Sequence, residues 1–201
     1  MRTGNRVARQ QKHPDLFGGD PSPPCGFRYA ADFLGVGEEQ ALLNQIGPLP
    51  FREFQFHGFL GKRRVVSFGW RYDFNGGGLS KTDDMPAFLL PVRQKAAAFA
   101  GVPPSALQQV LVTEYRPGAA IGWHKDRSVF GDMVGISLLA PCVLRFRRKK
   151  EAGWDRVTMK VEPRSIYLLR GPSRSEWEHS IPAVDALRYS LTFRNVLERG
   201  A

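Results

Sequence analysis

A series of short strand-like segments makes up most of the second half of the chain. Residues 110–115, 136–147, 157–161, 165–169 and 189–196 are rich in β-branched, aromatic and other apolar side chains, and turn residues separate them. No long helical pattern interrupts the series. Short strands at such spacing are typical of antiparallel sandwiches and barrels. The sequence therefore predicts a mainly β fold for this half of the chain.

The first half of the chain mixes helical and strand patterns. Residues 38–46 and 85–100 repeat apolar side chains at helical spacing, and turn or helix-ending residues follow both segments. Residues 51–60 and 65–74 are rich in aromatic side chains and alternate in part, which favours strands. We therefore expect two helices that pack against the β fold.

The N-terminal residues differ in character from the rest. Residues 1–24 carry four basic side chains before the first acidic residue, Asp15, and end in a Gly- and Pro-rich stretch. We expect a disordered or extended basic tail there, followed by a single domain over residues 25–201. A chain of 201 residues is compatible with one domain.

Charge and composition narrow the class of protein. Lys and Arg number 29 against 19 Asp and Glu, which gives a formal net charge of +10. This excess favours a polyanionic partner, nucleic acid first, although a merely basic protein would have the same composition. No apolar run approaches the roughly 20 residues of a membrane helix, so no membrane partner is expected. With only two cysteines and no secretory signal, we expect reduced thiols and a cytoplasmic location.

Three side chains suit a divalent metal ion. His124 and Asp126 are two positions apart, and on an extended segment such residues point to the same side. His179 lies much further along the chain, so a sheet must return it to the first pair. Two histidines and one carboxylate form the facial triad of non-haem Fe(II) oxygenases. Zinc is an alternative ion for the same ligands.

A strand with two arginines lies close to the C-terminus. Residues 188–194 alternate strictly, and Arg188 and Arg194 fall on the polar face. In one interpretation this face is simply in water. In the other, it lines an interior pocket in which the two guanidinium groups hold a dianion such as a small dicarboxylate. Burying them without an anion would be costly.

Taken together and in order, these motifs resemble those of the AlkB family of Fe(II)- and 2-oxoglutarate-dependent dioxygenases. The matching pieces are the Tyr-x-Pro-Gly turn within residues 112–118, His124-x-Asp126, His179 and the strand 188–194. The resemblance covers about residues 50–197. It implies a double-stranded β-helix, or jelly roll, with N-terminal helices packed outside and a substrate-recognition lid at about residues 51–80.

The resemblance also implies roles for individual side chains. His124, Asp126 and His179 would bind Fe(II) as the catalytic centre. Arg188 would pair with the distal carboxylate of 2-oxoglutarate, and Arg194 would lie near its metal-bound end. The expected 2-oxoglutarate contacts are completed by Thr113, Tyr115 and Ser190.

The lid is where the substrate would be recognised. Residues 58–64 and 68–72 interleave basic and aromatic side chains, as a surface that stacks on nucleobases would. An ordinary surface hairpin with core aromatics would show the same pattern. The candidate substrate-binding residues are Phe59, Arg64, Trp70 and Tyr72.

The function implied by the resemblance is oxidative dealkylation of N-alkylated nucleobases in DNA or RNA. It would be coupled to decarboxylation of 2-oxoglutarate to succinate and would consume O2. We expect a monomer. Two alternatives stay open: a 2-oxoglutarate-dependent hydroxylase or demethylase acting on a protein or small molecule, and a non-catalytic basic β-module that binds nucleic acid.

Overall fold

Two antiparallel sheets form the framework of the chain. The computed structural model describes residues 22–56, 59–76 and 78–197, without the side chains of residues 55, 56, 59 and 60. In chain order the strands are β1 (Phe27–Ala30), β2 (Arg52–Phe56), β3 (Phe59–Phe68), β4 (Trp70–Asp73), β5 (Gly78–Lys81), β6 (Gln109–Tyr115), β7 (Ile121–His124), β8 (Phe130–Leu138), β9 (Cys142–Lys149), β10 (Trp154–Val161), β11 (Ile166–Leu169), β12 (Glu178–Ile181) and β13 (Arg188–Val196). The helices are α1 (Val36–Ile46), α2 (Leu90–Ala100) and the short α3 (Pro172–Ser175), with 3-10 turns at Ala87–Leu89 and Pro104–Ala106.

The strand order is that of a jelly roll. The larger sheet has the order β1-β11-β8-β13-β6-β3-β2, and the smaller has the order β10-β9-β12-β7. Strands β4 and β5 form a separate hairpin. Neighbours in the larger sheet are mostly distant in sequence, as in the pairing of β13 with both β6 and β8. The expected double-stranded β-helix with helices packed outside is confirmed.

Two apolar clusters divide the interior. The inner cluster lies between the sheets and includes Phe146, Leu144 and Tyr167. The outer cluster packs α1 and α2 against the opposite face of the larger sheet. Gly135 on β8 faces the inner cluster, where a Cβ atom would meet the Tyr167 ring at 2.2 Å. Its missing side chain therefore makes room for that ring, since interiors are close-packed.

The structure divides three of the expected segments. The predicted strand 51–60 is divided between the separate strands β2 and β3, and the predicted strand 65–74 is broken at Gly69. Gly69 has φ of +77°, and a Cβ there would meet the Gln108 carbonyl oxygen at 2.1 Å. The predicted strand 136–147 likewise separates into β8 and β9. The apolar alternation continues across these divisions, so the sequence pattern does not show them.

Other differences concern the helices and the ends of the chain. The predicted helix 85–100 begins as a 3-10 turn and becomes α-helical only at Leu90, the start of α2. Residues 1–21 of the expected tail lie outside the described residues. The division of the chain at residue 24 stays a prediction. None of the helices within the described ranges combines the length and apolar character needed to cross a bilayer.

Candidate active site

The two histidines meet on the inner face of the smaller sheet. Strands β7 and β12 are neighbours there, and their antiparallel register sets His124 directly opposite His179. Side chains of directly opposed residues lie on the same face of a sheet. The two imidazole centroids are 4.3 Å apart. The sheet therefore brings the second histidine back to the first.

Asp126 completes the group just beyond the end of β7. The candidate ligand atoms of His124, Asp126 and His179 all lie within 4.8 Å of one another. His124 Nδ1 is 2.9 Å from the carbonyl oxygen of Gly122. Because a carbonyl oxygen can only accept, Nδ1 carries the proton and Nε2 remains as the metal-binding nitrogen.

Burial and neighbouring charges hold the ligands in their metal-binding forms. Burial lowers the pKa of His179 to about 3, against the opposing effect of Asp126. Burial alone would raise the pKa of Asp126, but the charge of Arg194, followed by those of His179 and Arg174, holds that pKa well below its usual value. Near neutral pH, His179 is therefore neutral and Asp126 ionised. Metal binding requires these forms.

Arg174 fixes the loop that carries Asp126. It lies on α3, is 9% exposed, and its Nε is 3.9 Å from Asp126 Oδ2. Its guanidinium group donates hydrogen bonds of 2.7–3.1 Å to four backbone carbonyl oxygens of that loop, those of Asp126, Arg127, Phe130 and Gly131. The sequence does not indicate this role, because nothing in the local pattern distinguishes Arg174 from a surface arginine.

Arg188 places a buried cation on the inner face of the larger sheet. It is 0% exposed, and its Nε donates to Ser137 Oγ at 3.2 Å. Its two Nη groups make no hydrogen bond within the described part of the chain. A buried guanidinium with unpaired donors is costly, and a carboxylate matches its planar fork. Arg188 therefore fits the distal carboxylate of 2-oxoglutarate.

Hydroxyl groups line the wall beside Arg188. The register places Arg188 opposite Tyr115, and Ser190 opposite both Thr113 and Ser137. The guanidinium carbon of Arg188 lies 4.7 Å from the centre of the Tyr115 ring. Thr113, Tyr115 and Ser190 thus share the face of Arg188, and their contacts to 2-oxoglutarate stay predictions. Ser137 was missed, although a lone hydroxyl in the apolar run of β8 could have indicated it.

Arg194 connects this wall to the metal ligands. Its Nη1 donates to Gln109 Oε1 at 3.1 Å, and its Nη2 donates to Asp126 Oδ1 at 3.3 Å. Its Nε and Asp126 Oδ2 have no hydrogen-bond partner among the described residues. These unsatisfied groups suit a metal ion at Asp126 and an anionic ligand beside Arg194. The residues present therefore fit both Fe(II) and 2-oxoglutarate.

Comparison with known proteins supports this geometry. The family model of the 2OG-Fe(II) oxygenase superfamily matches residues 26–194. The matched range contains His124, Asp126, His179, Arg188 and Arg194. The chain belongs to this superfamily.

Relatives of this oxygenase include AlkB-like proteins. The alkylated DNA repair protein ALKBH8 homolog of Arabidopsis thaliana is 30% identical over 175 residues, which cover 75% of this chain and 49% of the relative. The mitochondrial alpha-ketoglutarate-dependent dioxygenase alkB homolog 7 of Bos taurus is 36% identical over 159 residues, covering 74% of this chain and 64% of the relative. The chain thus spans about half to two thirds of these relatives.

The fold comparison agrees with the sequence comparison. The solved structure of OsALKBH1 superposes with a TM-score of 0.64 at 15% identity, covering 85% of this chain and 98% of that one. The AlkB-like resemblance and the dioxygenase class are confirmed, as are Fe(II), 2-oxoglutarate and O2 as the cofactor and co-substrates of the family.

The segment expected to form a lid, strands β2 to β5, contacts the metal-binding loop. Phe54, Tyr72 and Phe74 form a lid cluster: the Tyr72 and Phe74 centroids are 5.0 Å apart, and those of Phe54 and Phe74 are 5.5 Å apart. The guanidinium carbon of Arg127 lies 5.1 Å from the Tyr72 ring centre and 5.3 Å from that of Phe74. Arg127 directly follows Asp126. Tyr72 therefore lies close to the metal-binding loop.

Arg64 and Arg63 occupy opposite faces of β3. Arg64, expected among the substrate contacts, instead donates two hydrogen bonds of 2.8 Å to Glu114, on the side of the sheet that faces the helices. Arg63 pairs in register with Tyr115 on the inner face and lies 3.8 Å from the Phe54 ring centre. The charges of Arg63, Asp126 and Arg194 interact. Arg63 is therefore the arginine of β3 on the face of the site, and a role of Arg64 in substrate binding stays a prediction.

The remaining lid candidates are placed only in part. Trp70 lies opposite Lys81 in the β4–β5 hairpin, and the Lys81 ammonium is 5.7 Å from the Trp70 ring centre. The side chain of Phe59 lies outside the described residues. For Phe59 and Trp70, a role in substrate binding stays a prediction.

Proposed function

We propose that this oxygenase removes alkyl groups from N-alkylated bases of DNA or RNA. The observation that carries the proposal is the lid cluster, whose rings contact two arginines, Arg63 and Arg127. Arg127 directly follows the metal ligand Asp126 in the sequence. Aromatic faces stack on nucleobases, and guanidinium groups pair with phosphates. The net charge of +10 favours the same partner.

The bound Fe(II) and 2-oxoglutarate would supply the oxidation of an N-alkyl carbon, coupled to decarboxylation of 2-oxoglutarate to succinate. One oxygen atom of O2 enters succinate and the other enters the N-alkyl carbon. For an N-methyl group, the resulting hemiaminal releases formaldehyde and leaves the base with its N–H. Arg188 would anchor the co-substrate, while His124, Asp126 and His179 would hold the metal.

The lid has to accept a base that has left its stack. Extrusion costs a few kcal/mol, and stacking on aromatic side chains is worth about 1–3 kcal/mol per base. Tyr72 and Phe54 offer such surfaces, and Arg63 lies between Phe54 and the inner wall. A partly open site suits this entry, since the His124 side chain is 37% exposed while that of Asp126 is 8% exposed.

We also propose that the enzyme is a monomer, that it is located in the cytoplasm and that it has no membrane partner. A relative named for alkylated DNA repair supports the nucleic-acid substrate. Another relative is named as mitochondrial, so fractionation of cells that express the tagged protein tests the location.

The test is incubation of the Fe(II)-loaded protein with 2-oxoglutarate, ascorbate and an oligonucleotide carrying N-methylated or etheno-adducted bases. Mass spectrometry should show loss of the adduct, with succinate in equal amount and formaldehyde released from methylated bases. The His124→Ala variant should form neither repaired base nor succinate. Succinate formed with a methylated or proline-containing peptide, and none with any oligonucleotide, would favour the protein-directed alternative. No succinate with any substrate would favour a binding module.

Two neighbouring arginines provide a matched pair of variants. Arg63→Met should lower adduct removal and leave the thermal midpoint close to that of the wild type. Arg64→Met should lower the thermal midpoint, since Glu114 loses two charged hydrogen bonds and, among the described residues, keeps only those from Arg116 and Tyr189. It should leave activity per folded molecule unchanged. Equal activity in the Arg63→Met variant and the wild type would remove the lid from the proposal.

A further inference from the structure

The outer face of the smaller sheet carries a row of stacked arginine and tryptophan side chains. The guanidinium carbon of Arg147 lies 4.6 Å from the Trp123 ring centre and 4.5 Å from that of Trp154. That of Arg145 lies 5.0 Å from the Trp123 ring centre. We call Trp123, Arg145, Arg147 and Trp154 the outer ladder. It lies on the opposite face of the sheet from the metal ligands, because side chains alternate along a strand.

Hydrogen bonds hold the two guanidinium groups in place. Arg145 Nε donates to Ser180 Oγ at 3.1 Å, and Arg147 Nε donates to Glu178 Oε2 at 2.5 Å. A guanidinium group has five N–H donors, and among the described residues these bonds use only Nε. The remaining donors can serve an external anion. Because the stacked side chains are already ordered, binding loses little of their conformational entropy.

Positive charge is concentrated on this face. Arg156 lies directly opposite Arg147, and Lys149 lies opposite Trp154. Both Arg156 and Lys149 are exposed. Like charges directly opposite each other across two strands are destabilising. Glu178 supplies a single carboxylate to offset this repulsion. A bound anion would reduce the repulsion further.

The inward-facing arginine of the same strand shows the contrast. Arg148 forms ion pairs with Glu176 at 2.9 Å and with Asp155 at 3.2 Å. The charge of Arg148 is therefore matched within the chain, as expected of a structural arginine. The outer ladder and its neighbours have fewer acidic partners, which indicates a surface that meets an anion from outside.

We propose that the outer ladder, with Lys149 and Arg156, binds the phosphodiester backbone of a nucleic-acid strand outside the metal site. Arg145 and Arg147 are roughly 6.6 Å apart along β9, a spacing that suits successive phosphates of an extended strand. Strand β7 is an edge strand of the smaller sheet. A nucleic-acid strand that passes around this edge leads from Trp123 to the metal ligand His124. The inference rests on the proposed nucleic-acid substrate and adds a second contact region to it.

The test compares two double variants that remove equal charge from different faces. Lys149→Gln with Arg156→Gln alters the ladder face. Arg28→Gln with Lys95→Gln alters exposed positions on β1 and α2, on the helix side. Each purified protein is titrated with a fluorescently labelled, unmodified single-stranded oligonucleotide at several salt concentrations. Circular dichroism melting shows that each variant is folded.

The ladder-face variant should bind more weakly and with less salt dependence. With about 0.7 counterions released per neutralised phosphate, two lost contacts lower the log–log salt slope by about 1.4 and the affinity at about 0.1 M salt by about 25-fold. The helix-side variant should bind within about threefold of the wild type. Equal weakening of both variants, or of neither, overturns the proposal, as does tighter wild-type binding to phosphatidylserine vesicles than to the oligonucleotide.

These outcomes are distinct from failure of the proposed function. A wild-type protein that removes the methyl group while the ladder-face variant binds normally refutes only the outer ladder. A wild-type protein whose oligonucleotide binding depends on the ladder but that removes no adduct refutes only the dealkylation.

Discussion

Replacement of Arg174 tests whether the loop it holds controls metal binding. In the Arg174→Gln variant, a shorter amide replaces a guanidinium group that donates to four carbonyl oxygens. An amide nitrogen has two donors, so at least two of these carbonyl oxygens lose their partner. At about 1–3 kcal/mol for each unsatisfied buried group, and allowing for non-additivity, we expect a loss of about 3 kcal/mol in the free energy of unfolding.

Thermal unfolding and Mn²⁺ binding of the Arg174→Gln variant test this expected loss of support. For a domain of this size, about 3 kcal/mol corresponds to a fall of about 10 °C in the thermal midpoint, followed by circular dichroism. Loosening the support of a metal ligand typically lowers metal affinity about 10- to 100-fold. Calorimetric titration of the apo-protein with Mn²⁺ measures this directly. Arg174→Lys should lie between the wild type and Arg174→Gln, because it keeps the charge but loses the planar fork.

A neighbouring arginine serves as the control. Arg170 donates to Asp132 Oδ2 at 2.7 Å and to the Ala100 carbonyl oxygen at 2.9 Å, and contacts none of the metal ligands. Arg170→Gln should lower stability modestly and leave Mn²⁺ affinity unchanged. If Arg174→Gln lowers the thermal midpoint but binds Mn²⁺ within about threefold of the wild type, Arg174 supports the fold alone and the reasoning fails.

Three further predictions address the other parts of the site. Arg188→Lys should weaken 2-oxoglutarate binding about 10- to 100-fold, because about 1.5–3 kcal/mol of charged hydrogen bonding is lost. The affinity for Mn²⁺ should not change. A 2-oxoglutarate titration curve that matches that of the wild type would contradict this prediction. Hydrogen bonding from Arg64 lowers the pKa of Glu114, so this pair contributes stability above the unfolded-state pKa of about 4.3 and loses it as pH falls through the lower folded-state pKa. Glu114→Gln should accordingly lower the free energy of unfolding by about 1–3 kcal/mol at pH 7. In urea unfolding at acidic pH, the free energies of the variant and the wild type should differ by less. A difference in free energy that does not depend on pH would refute the ion pair. Tyr72→Leu removes the ring that contacts Arg127, and a cation–π contact of this kind is worth about 0.5–2 kcal/mol. This variant should lower kcat/KM for an adducted oligonucleotide about 2- to 30-fold and leave the affinity for 2-oxoglutarate unchanged. An equal loss in kcat/KM and in 2-oxoglutarate affinity would indicate general unfolding of the site.

The metal centre was predictable because two of its three ligands are neighbours in the sequence and because all three are residue types that bind metal ions. His124 and Asp126 share a face through simple strand alternation. Nothing local to His179 announces its partner, since the pairing of β7 with β12 joins segments far apart in sequence. Only the ordered set of motifs connected them. Both strands are four residues long, too short for hydrophobic periodicity to reveal.

The supporting contacts of the site were not predictable from local pattern. Arg174 bonds to carbonyl oxygens that lie 43–48 residues earlier in the chain. Backbone carbonyl oxygens are present at every position, so the sequence carries no mark of which of them an arginine will meet. Ser137 is different, because a single hydroxyl group within the buried, otherwise apolar residues 133–138 of β8 is a visible exception and indicates a polar neighbour, here Arg188.

Arg63 and Arg64 lie on opposite faces of β3, and this explains why the substrate side of the site is harder to predict than the metal side. A shift of one residue in register moves every side chain of a strand to the other face. Strand β3 pairs with β2 through an irregular register between Glu53 and Gln55, so counting along the sequence does not fix its faces. Pairing with β6 does fix them, and it sets Arg63 opposite Tyr115. Metal ligands tolerate no such shift, because three of them must meet at one point. A lid only has to present aromatic and basic groups, and several registers of the same residues would do so. Long-range strand pairing therefore decides which of the expected lid residues face the site.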